Sequence, residues 1–449
     1  MNNLLIVLLC ILGVVLGPKY SCFANEYLDL FEIEGTKTTY FLDSSKLDSD
    51  RQFLYGSIVA EYDYMLEKNK ATNGTVFKGA TSMLNTLEVF FKSKLTTYMD
   101  VFISGRASYD PIYSIKGRNE FTSDLIRSQE FEVDLGESFI QTNIKGVDLK
   151  LGRQIMSWGS LDTFRIVDLI NPLDLRKIGY KDFKDLKLPI GIIKLIFPSR
   201  LFTISTVLIA EQRFNKIPSY GSEYYVSQIA PLSSEKETFK VTGGVNLNKQ
   251  FLNGDVSLYL ARFYQDNQHI EQIHTSELIL KRNILNLSGI SASWRLFDFI
   301  IKSDLAYYNN VRFSNLNKYF NQFKFGLGFD YSKFENITLT GEVALEHTID
   351  YENKLKAAPD YMVETDILFN FSTEIKSFRE QVVTTIFYSH FGKDVDSGSF
   401  IRPSIAYYFT DKYKFEFGSI LYFAGTKEYS KQFNKNDRIF VKFETFFGG

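Results

Sequence analysis

Three stretches of this chain alternate apolar and polar residues so regularly that few folds accommodate them. Asn336 to Glu346 reads NITLTGEVALE, with Ile337, Leu339, Val343 and Leu345 on one face and Asn336, Thr338, Thr340, Glu342 and Glu346 on the other. Gln322 to Tyr331 sets Phe323, Phe325, Leu327 and Phe329 against Gln322, Lys324 and Asp330. Lys414 to Phe423 sets Phe415, Phe417, Leu421 and Phe423 against Lys414 and Glu416. A period of two sustained over about ten residues is a strand, and a face that carries charges is wet. The apolar face is unusually aromatic, in keeping with 42 Phe and 27 Tyr against 9 Pro and 2 Trp in the whole chain. Past the first residues no apolar run approaches spanning-helix length, and lipid admits only helices or closed barrels because every backbone polar group must be paired internally.

A soluble sandwich also alternates, with its apolar face against a second sheet. The connections decide between the two. Tight turns are expected near Ser93-Lys94, Lys145-Gly146, Pro198-Ser199, Lys249–Gly254, Phe297-Asp298, Lys333–Asn336, Lys376-Ser377 and Thr410-Asp411. Between them lie longer segments, near 65–82, 109–130, 155–188, 211–237, 266–286, 309–320, 346–361, 391–397 and 425–434. Alternately short and long connections belong to outer-membrane barrels. The expected fold is therefore all-β: one antiparallel transmembrane β-barrel over 51–449, with about 18 strands, long outer loops and both ends on the periplasmic side. Sixteen strands is the alternative, since Ala80–Lys92 and His274–Leu280 alternate weakly. Residues 25–50 read as a periplasmic or lumenal lead-in or an extra strand.

The chain opens on Leu4 to Gly17, an apolar run too short to span a bilayer, followed by Pro18 and by Cys22-Phe23-Ala24. The small residues at the −3 and −1 positions mark 1–24 as a signal peptide, although no basic residue precedes the run. Lys19-Tyr20-Ser21 lacks the small apolar pattern that would make Cys22 a lipoprotein cysteine. Cys10 and Cys22, the only cysteines, both fall in this leader, so the exported chain uses no disulfide. A net charge of −2 argues against nucleic acid as a partner. The last strand, Arg438 to Phe447, carries Ile439, Val441, Phe443 and Phe447 on one face and resembles the C-terminal signal read by the barrel assembly machinery. Gly448-Gly449 follow Phe447, a departure from its usual aromatic end.

Nothing in the sequence supports an enzyme, a metal site or a cofactor. His269, His274, His347 and His390 are scattered, with no metal-binding spacing and no cysteine to help. They read as solvated loop residues. Glu130, Glu132 and Asp134 form an acidic stripe on an expected inner face. Arg106, Lys150, Lys302, Lys324, Lys414 and Lys442 also point inward, so the lumen is polar with mixed sign.

One stretch departs from the pattern. Val147 to Lys177, VDLKLGRQIMSWGSLDTFRIVDLINPLDLRK, starts as a strand and then loses its period after Gln154. The next strand begins only at Leu188-Pro189, and long loops in compact proteins are functional or disordered. Trp158, Phe164, Ile166, Val167, Leu169, Ile170 and Leu173 are too apolar for a surface tip, and the lumen is the nearest shelter. Asp162, Arg165, Asp168, Asp174, Arg176 and Lys177 are then the candidates for a charged pore constriction, or for anchors that only hold the loop. Asn171-Pro172 is a turn-initiating pair, where the loop is expected to reverse.

These residues also carry a resemblance. Gly152, Arg153, Gln154, Trp158 and Gly159, followed by Asp168, Asn171, Pro172 and Asp174, resemble a poorly characterised family of Gram-negative outer-membrane barrels, broadly similar to alginate-export and substrate-specific porins. The match covers about residues 137–190. Strict alternation places Arg153 on the lipid face, a cost that a bulge or a position at the outer rim relieves. The resemblance implies placement in the outer membrane more than a function; the chain as a whole reads as a porin-like channel for passive diffusion of small solutes. The expected partners are outer-membrane lipid and an unnamed small permeant, and the barrel is a monomer or a homotrimer. A closed scaffold or adhesin acting through its outer loops, or a FadL-like carrier of hydrophobic compounds, is the alternative reading.

Overall fold

The structure, a computed structural model, describes residues 53–225, 240–274, 277–357, 359–431 and 435–448. The expected leader and the lead-in at 25–50 lie outside the described residues. In chain order the strands are β1 (Phe53–Lys70), β2 (Val76–Thr96), β3 (Met99–Tyr109), β4 (Phe131–Ile144), β5 (Val147–Gln154), β6 (Ile190–Pro198) and β7 (Thr203–Ile209). Next come β8 (Thr242–Phe251), β9 (Gly254–Tyr264), β10 (His269–His274), β11 (Glu277–Lys281), β12 (Ile284–Leu296), β13 (Phe299–Arg312) and β14 (Tyr319–Phe334). The last are β15 (Ile337–Ile349), β16 (Thr365–Ser377), β17 (Val382–Phe391), β18 (Ser399–Thr410), β19 (Tyr413–Phe423) and β20 (Arg438–Gly448).

Eighteen of these form one sheet in which neighbours pair antiparallel. β20 lies against β1 from Tyr55↔Gly448 to Met65↔Arg438, so the sheet closes and has no edge. The strand count expected from the connections holds. Within the doubtful stretch, His274 ends β10 and 277–280 lie in β11, two strands that pair with each other and not with the wall. The other doubtful stretch lies within β2. There Asp63 pairs with Ser82 but Tyr64 with Ala80, so Thr81 is an extra residue that shifts the alternation by one.

The turn expected at Ser93-Lys94 falls at Thr97-Tyr98 instead. The ladder runs on because Lys94 stands opposite Asp100, a favourable cross-strand pair. Outward residues such as Leu54, Ile58, Leu151, Leu327 and Phe417 are exposed, while their neighbours Ser57, Gln154, Glu342 and Gln322 are buried inside. No helix among the described residues is long and apolar enough to cross a membrane.

Candidate functional site

The chain between β5 and β6 packs inside the barrel in two lobes joined at Asn171. That side chain is fully buried: its Nδ2 donates to the carbonyls of Gln154 (3.0 Å) and Leu188 (2.9 Å), and its Oδ1 accepts from the Met156 amide (2.8 Å). The chain thus returns to its starting point at Asn171-Pro172, where a reversal was expected, and sets out again. Pro172 closes the second lobe by accepting from the Leu188 amide at 2.7 Å.

The first lobe, 156–170, lies against the inner faces of β6–β9 and β12–β16. Trp158 packs on Tyr259 and Phe263 at ring distances of 5.0 and 5.5 Å. With Met156, Ile166, Val167 and Ile170 it shares a buried cluster with Ile190, Ile192, Val207, Leu287 and Tyr308 of the wall. Polar contacts alternate with these. The Gly159 amide donates to the Tyr259 hydroxyl (3.1 Å), and Ser160 donates through its amide and hydroxyl to Asp304 (2.9 and 2.7 Å). Glu342 accepts three consecutive amides, those of Asp162 (2.6 Å), Thr163 (3.0 Å) and Phe164 (3.3 Å). The carboxylate takes the place of a partner strand for backbone that has left the sheet.

The second lobe, 173–187, reaches the opposite wall. Arg176 donates to Asp174 (2.7 Å), to the Ser128 carbonyl (2.5 Å) and to Glu132 of β4 (2.8 Å). Lys177 approaches Ser82 of β2 (3.3 Å) and Asp63 of β1 (3.7 Å). Tyr422 of β19 donates to the Ile178 carbonyl (2.5 Å), Arg402 of β18 to Gly179 (3.1 Å) and to Asp182, and Arg438 of β20 to Tyr180 (2.5 Å). Segment 210–225 joins this lobe: Lys216 exchanges backbone hydrogen bonds with Leu173 and Leu175, and Glu223 pairs with Arg438 at 3.2 Å. Together the lobes hold strands on both sides of the barrel, so the loop crosses its interior.

The six charged candidates are all engaged. Asp162 meets Lys302 at 2.6 Å, Arg165 meets Asp266 at 2.8 Å, and Asp168 meets Lys187 at 2.7 Å. Asp174, Arg176 and Lys177 hold the second lobe as described. Burial opposes the charge on Asp174, but hydrogen bonds from Arg176 and its positive charge hold the carboxyl well below the usual range. Sequence reasoning passed over Lys181, Asp182, Lys184 and Asp185, although this run of charges lies in the same connection. Burial, with Arg106 and Arg176 beside it, pushes the Lys181 ammonium down to about 8.

The motif residues sit where the wall becomes loop. Gly152 has φ +134, and a Cβ there would lie 2.2 Å from the Ser138 carbonyl. Gly159 has φ +89 and no room beside Asp304. Gln154 is buried and donates to the Ile192 carbonyl at 3.2 Å. Arg153 occupies the end of β5, opposite Ser138. Its guanidinium reaches the Leu135 carbonyl (3.1 Å), beyond the last β4 residue that β5 pairs, and binds Glu211. Strand end and counter-ion thus relieve the cost expected for this arginine.

The acidic stripe is matched by the loops. Glu132 meets Arg176 and Lys216, and Asp134 meets Arg213 at 2.7 Å. The inner-face cations are matched by wall carboxylates, as in Lys324–Glu346 (2.9 Å), Lys442–Glu61 (3.4 Å) and Lys414–Glu416 (3.4 Å). The histidines differ from expectation: His269 is buried, 3.7 Å from Glu271, and His347 and His390 lie within β15 and β17 rather than in loops. No cluster among the described residues has the makings of a metal site.

A family model covers most of the chain, residues 67–412, including every motif residue. The chain belongs to the family described as "Protein of unknown function (DUF1302)". No curated protein matches it. Among solved structures it is similar to OccAB3 of Acinetobacter baumannii, at 9% identity over 89% of this chain and 99% of that one, with a TM-score of 0.51. It is also similar to OccD3 of Pseudomonas aeruginosa, at 10% identity over 88% and 91%, with a TM-score of 0.50. The outer membrane channel DcaP of A. baumannii matches at 9% identity over 88% and 97%, with a TM-score of 0.44. At such identities the likeness is one of fold: this family member has the barrel architecture of OccAB3 and OccD3.

Proposed function

We propose that this barrel sits in the outer membrane of a Gram-negative cell, reached through signal-peptide export, and carries small solutes by passive diffusion through a lumen narrowed by 155–188. It is a transporter in this reading, without catalysis or cofactor. The observation that supports it is the two-sided build of the loop. The first lobe is held to one side of the wall by an apolar cluster. The second lobe brings Lys177, Lys181 and Asp182 toward a charged wall that includes Asp63, Glu88 and Arg106. A solute passing between them meets fixed charges of both signs at close range, where size and field decide passage. The apolar residues that would suit a hydrophobic carrier are spent on packing, since Ile166 and Val167 are fully covered.

Planar-bilayer recordings of the refolded chain test this. Unitary conductance steps are expected, and deleting 160–180 should enlarge them. Silence from both proteins would end the channel reading.

A further inference from the structure

At the long-loop end of the barrel the β1–β2 hairpin stands above its neighbours. The last β20 partner of β1 is opposite Met65 and the last β3 partner of β2 is opposite Asn85, yet both strands run on to a turn at 71–75. Phe77 is buried on the inner side with Ile112, Tyr113 and Leu125, so Val76 and Lys78 on either side of it point outward. Asn69 stands opposite Phe77 and Lys70 opposite Val76, which puts Lys70 on the outward face with Lys78. Between Met65 and Asn69 three residues of β1 stand against Lys78 alone, and one of them, Lys68, is exposed. A fourth lysine comes from outside the hairpin. The short helix Ile112–Lys116 packs by Phe77, and the Lys116 ammonium donates to the Lys78 carbonyl at 2.9 Å.

Four lysines thus gather at one corner of the rim, and among the described residues none of them has a carboxylate partner. Other rim cations do: Arg118 meets Glu130 at 3.1 Å, Lys427 meets Asp366 at 2.6 Å, and Lys318 meets Glu352. Glu67 and Glu120, the acids nearest in sequence, are exposed and pair with none of the four. Burial and the charge of Lys78 push the Lys116 ammonium down. Only Glu223, already paired with Arg438, acts on it in the other direction.

What lies beneath the lysines selects an occupant. Down the outward side of β1 come Leu66, Tyr64, Tyr62, Ile58 and Leu54, all exposed. Aromatic residues at the end of such a strip mark the membrane interface. Lys78 stands two to four residues beyond Tyr64, about 7–13 Å along the strand. A lysine stem can lie back over that gap and keep its charge among lipid headgroups. A soluble anion would use only the charges, whereas an anionic headgroup on fatty chains uses charges and strip together. The outer leaflet of a Gram-negative outer membrane is built from phosphorylated glycolipids of that design.

We infer that Lys68, Lys70, Lys78 and Lys116 form a docking site for the phosphates of an anionic glycolipid of the outer leaflet, whose acyl chains lie against Tyr62, Tyr64 and Leu66. From the reading above the inference takes the outer-membrane placement and nothing about conduction.

Native mass spectrometry of the refolded full chain in detergent tests it, with bisphosphorylated lipid A as the probe. The comparators are dephosphorylated lipid A, phosphatidylethanolamine, and inorganic pyrophosphate, which carries the charge without the chains. Lipid A is expected to bind at least tenfold tighter than any comparator. The triple variant Lys68→Gln, Lys70→Gln, Lys78→Gln leaves Lys116 on its carbonyl. It should lose at least tenfold for lipid A and nothing for phosphatidylethanolamine. The variant Lys354→Gln, Lys356→Gln, Lys393→Gln removes as many exposed charges from other outer loops and should bind like the parent. Equal binding of the dephosphorylated lipid overturns the inference, as does an equal loss in both triple variants. Pyrophosphate bound as tightly as lipid A would make the patch a site for soluble anions and sink the lipid. An unaffected first variant with an intact thermal transition also overturns it. If that variant fails to fold, Lys78→Gln alone takes its place, with at least a threefold loss expected. Ranked lipid binding in a barrel that conducts nothing would end the channel reading and keep the site. Conductance without ranked binding would do the reverse.

Discussion

Asn171 and Gln154, seventeen positions apart, are joined by a 3.0 Å hydrogen bond from the Asn171 amide to the Gln154 carbonyl, at the point where wall becomes loop. The same side chain holds Met156 and Leu188, so one residue ties the beginning, middle and end of the connection. Asn171→Ala leaves the Met156 amide and two carbonyls unpaired in a fully buried place. Each such group costs about 1–3 kcal/mol, less what the site recovers by relaxing. The expected result is faster hydrogen exchange at the Met156 amide by about two orders of magnitude, with strand amides in β13–β15 unchanged. Uniform protection throughout would show that the knot is not what holds the two lobes.

Glu342 makes a second test, because its carboxylate accepts amides from three successive loop residues. Glu342→Gln keeps the size but turns an NH₂ donor toward at least one of those N–H groups. Charged hydrogen bonds of this kind contribute about 1.5–3 kcal/mol each. The first lobe should open, and trypsin should cut at Arg165 at least tenfold faster than in the parent. Resistance equal to the parent would mean that Asp304 and the apolar cluster suffice.

How far these contacts could be read beforehand follows from their range in sequence. Strand alternation is local, so Phe323–Phe329 and Phe415–Phe423 announced their faces without help from the rest of the chain. Trp158, Ile166 and Val167 announced burial because seven apolar residues cannot be left in water. What receives them was not legible. Asp304, Glu342 and Tyr422 meet loop residues 144 to 244 positions away, and nothing local tells which strands face each other across a closed sheet. The share of 210–225 was missed for the same reason, although Arg213 and Lys216 had an acidic stripe waiting at Glu132 and Asp134.

Trp158 offers an optical measurement. It is buried against Tyr259 and Phe263, whereas the other tryptophan, Trp294, is exposed on the outer face. Trp158→Ala removes a large ring from a packed cluster, at a cost of about 3–5 kcal/mol. In the parent chain a lipid-borne quencher should extinguish Trp294 emission and spare Trp158. The alanine variant should lose the protected emission and unfold at lower denaturant concentration. Protected emission that survives the substitution would contradict the assignment.

If the barrel conducts as proposed, Lys181 should tie its selectivity to pH. Its folded-state pKa is lowered to about 8 by burial and by the charges of Arg106 and Arg176. The sign follows from proton binding: between pH 8 and the unfolded value near 10.4 the unfolded chain holds the proton and the folded chain does not. Stability from this group is therefore lowest below pH 8 and rises as pH climbs through that window. The lumen changes in the opposite sense, since one positive charge on the second lobe disappears. Reversal potentials in a salt gradient should shift toward cation preference between pH 7 and pH 9, with a midpoint near 8. Lys181→Met should show the high-pH potential throughout and no midpoint. A parent curve that is flat across this window would place Lys181 away from the ion path, and the narrowing would then have to be built from Lys177 and the wall alone.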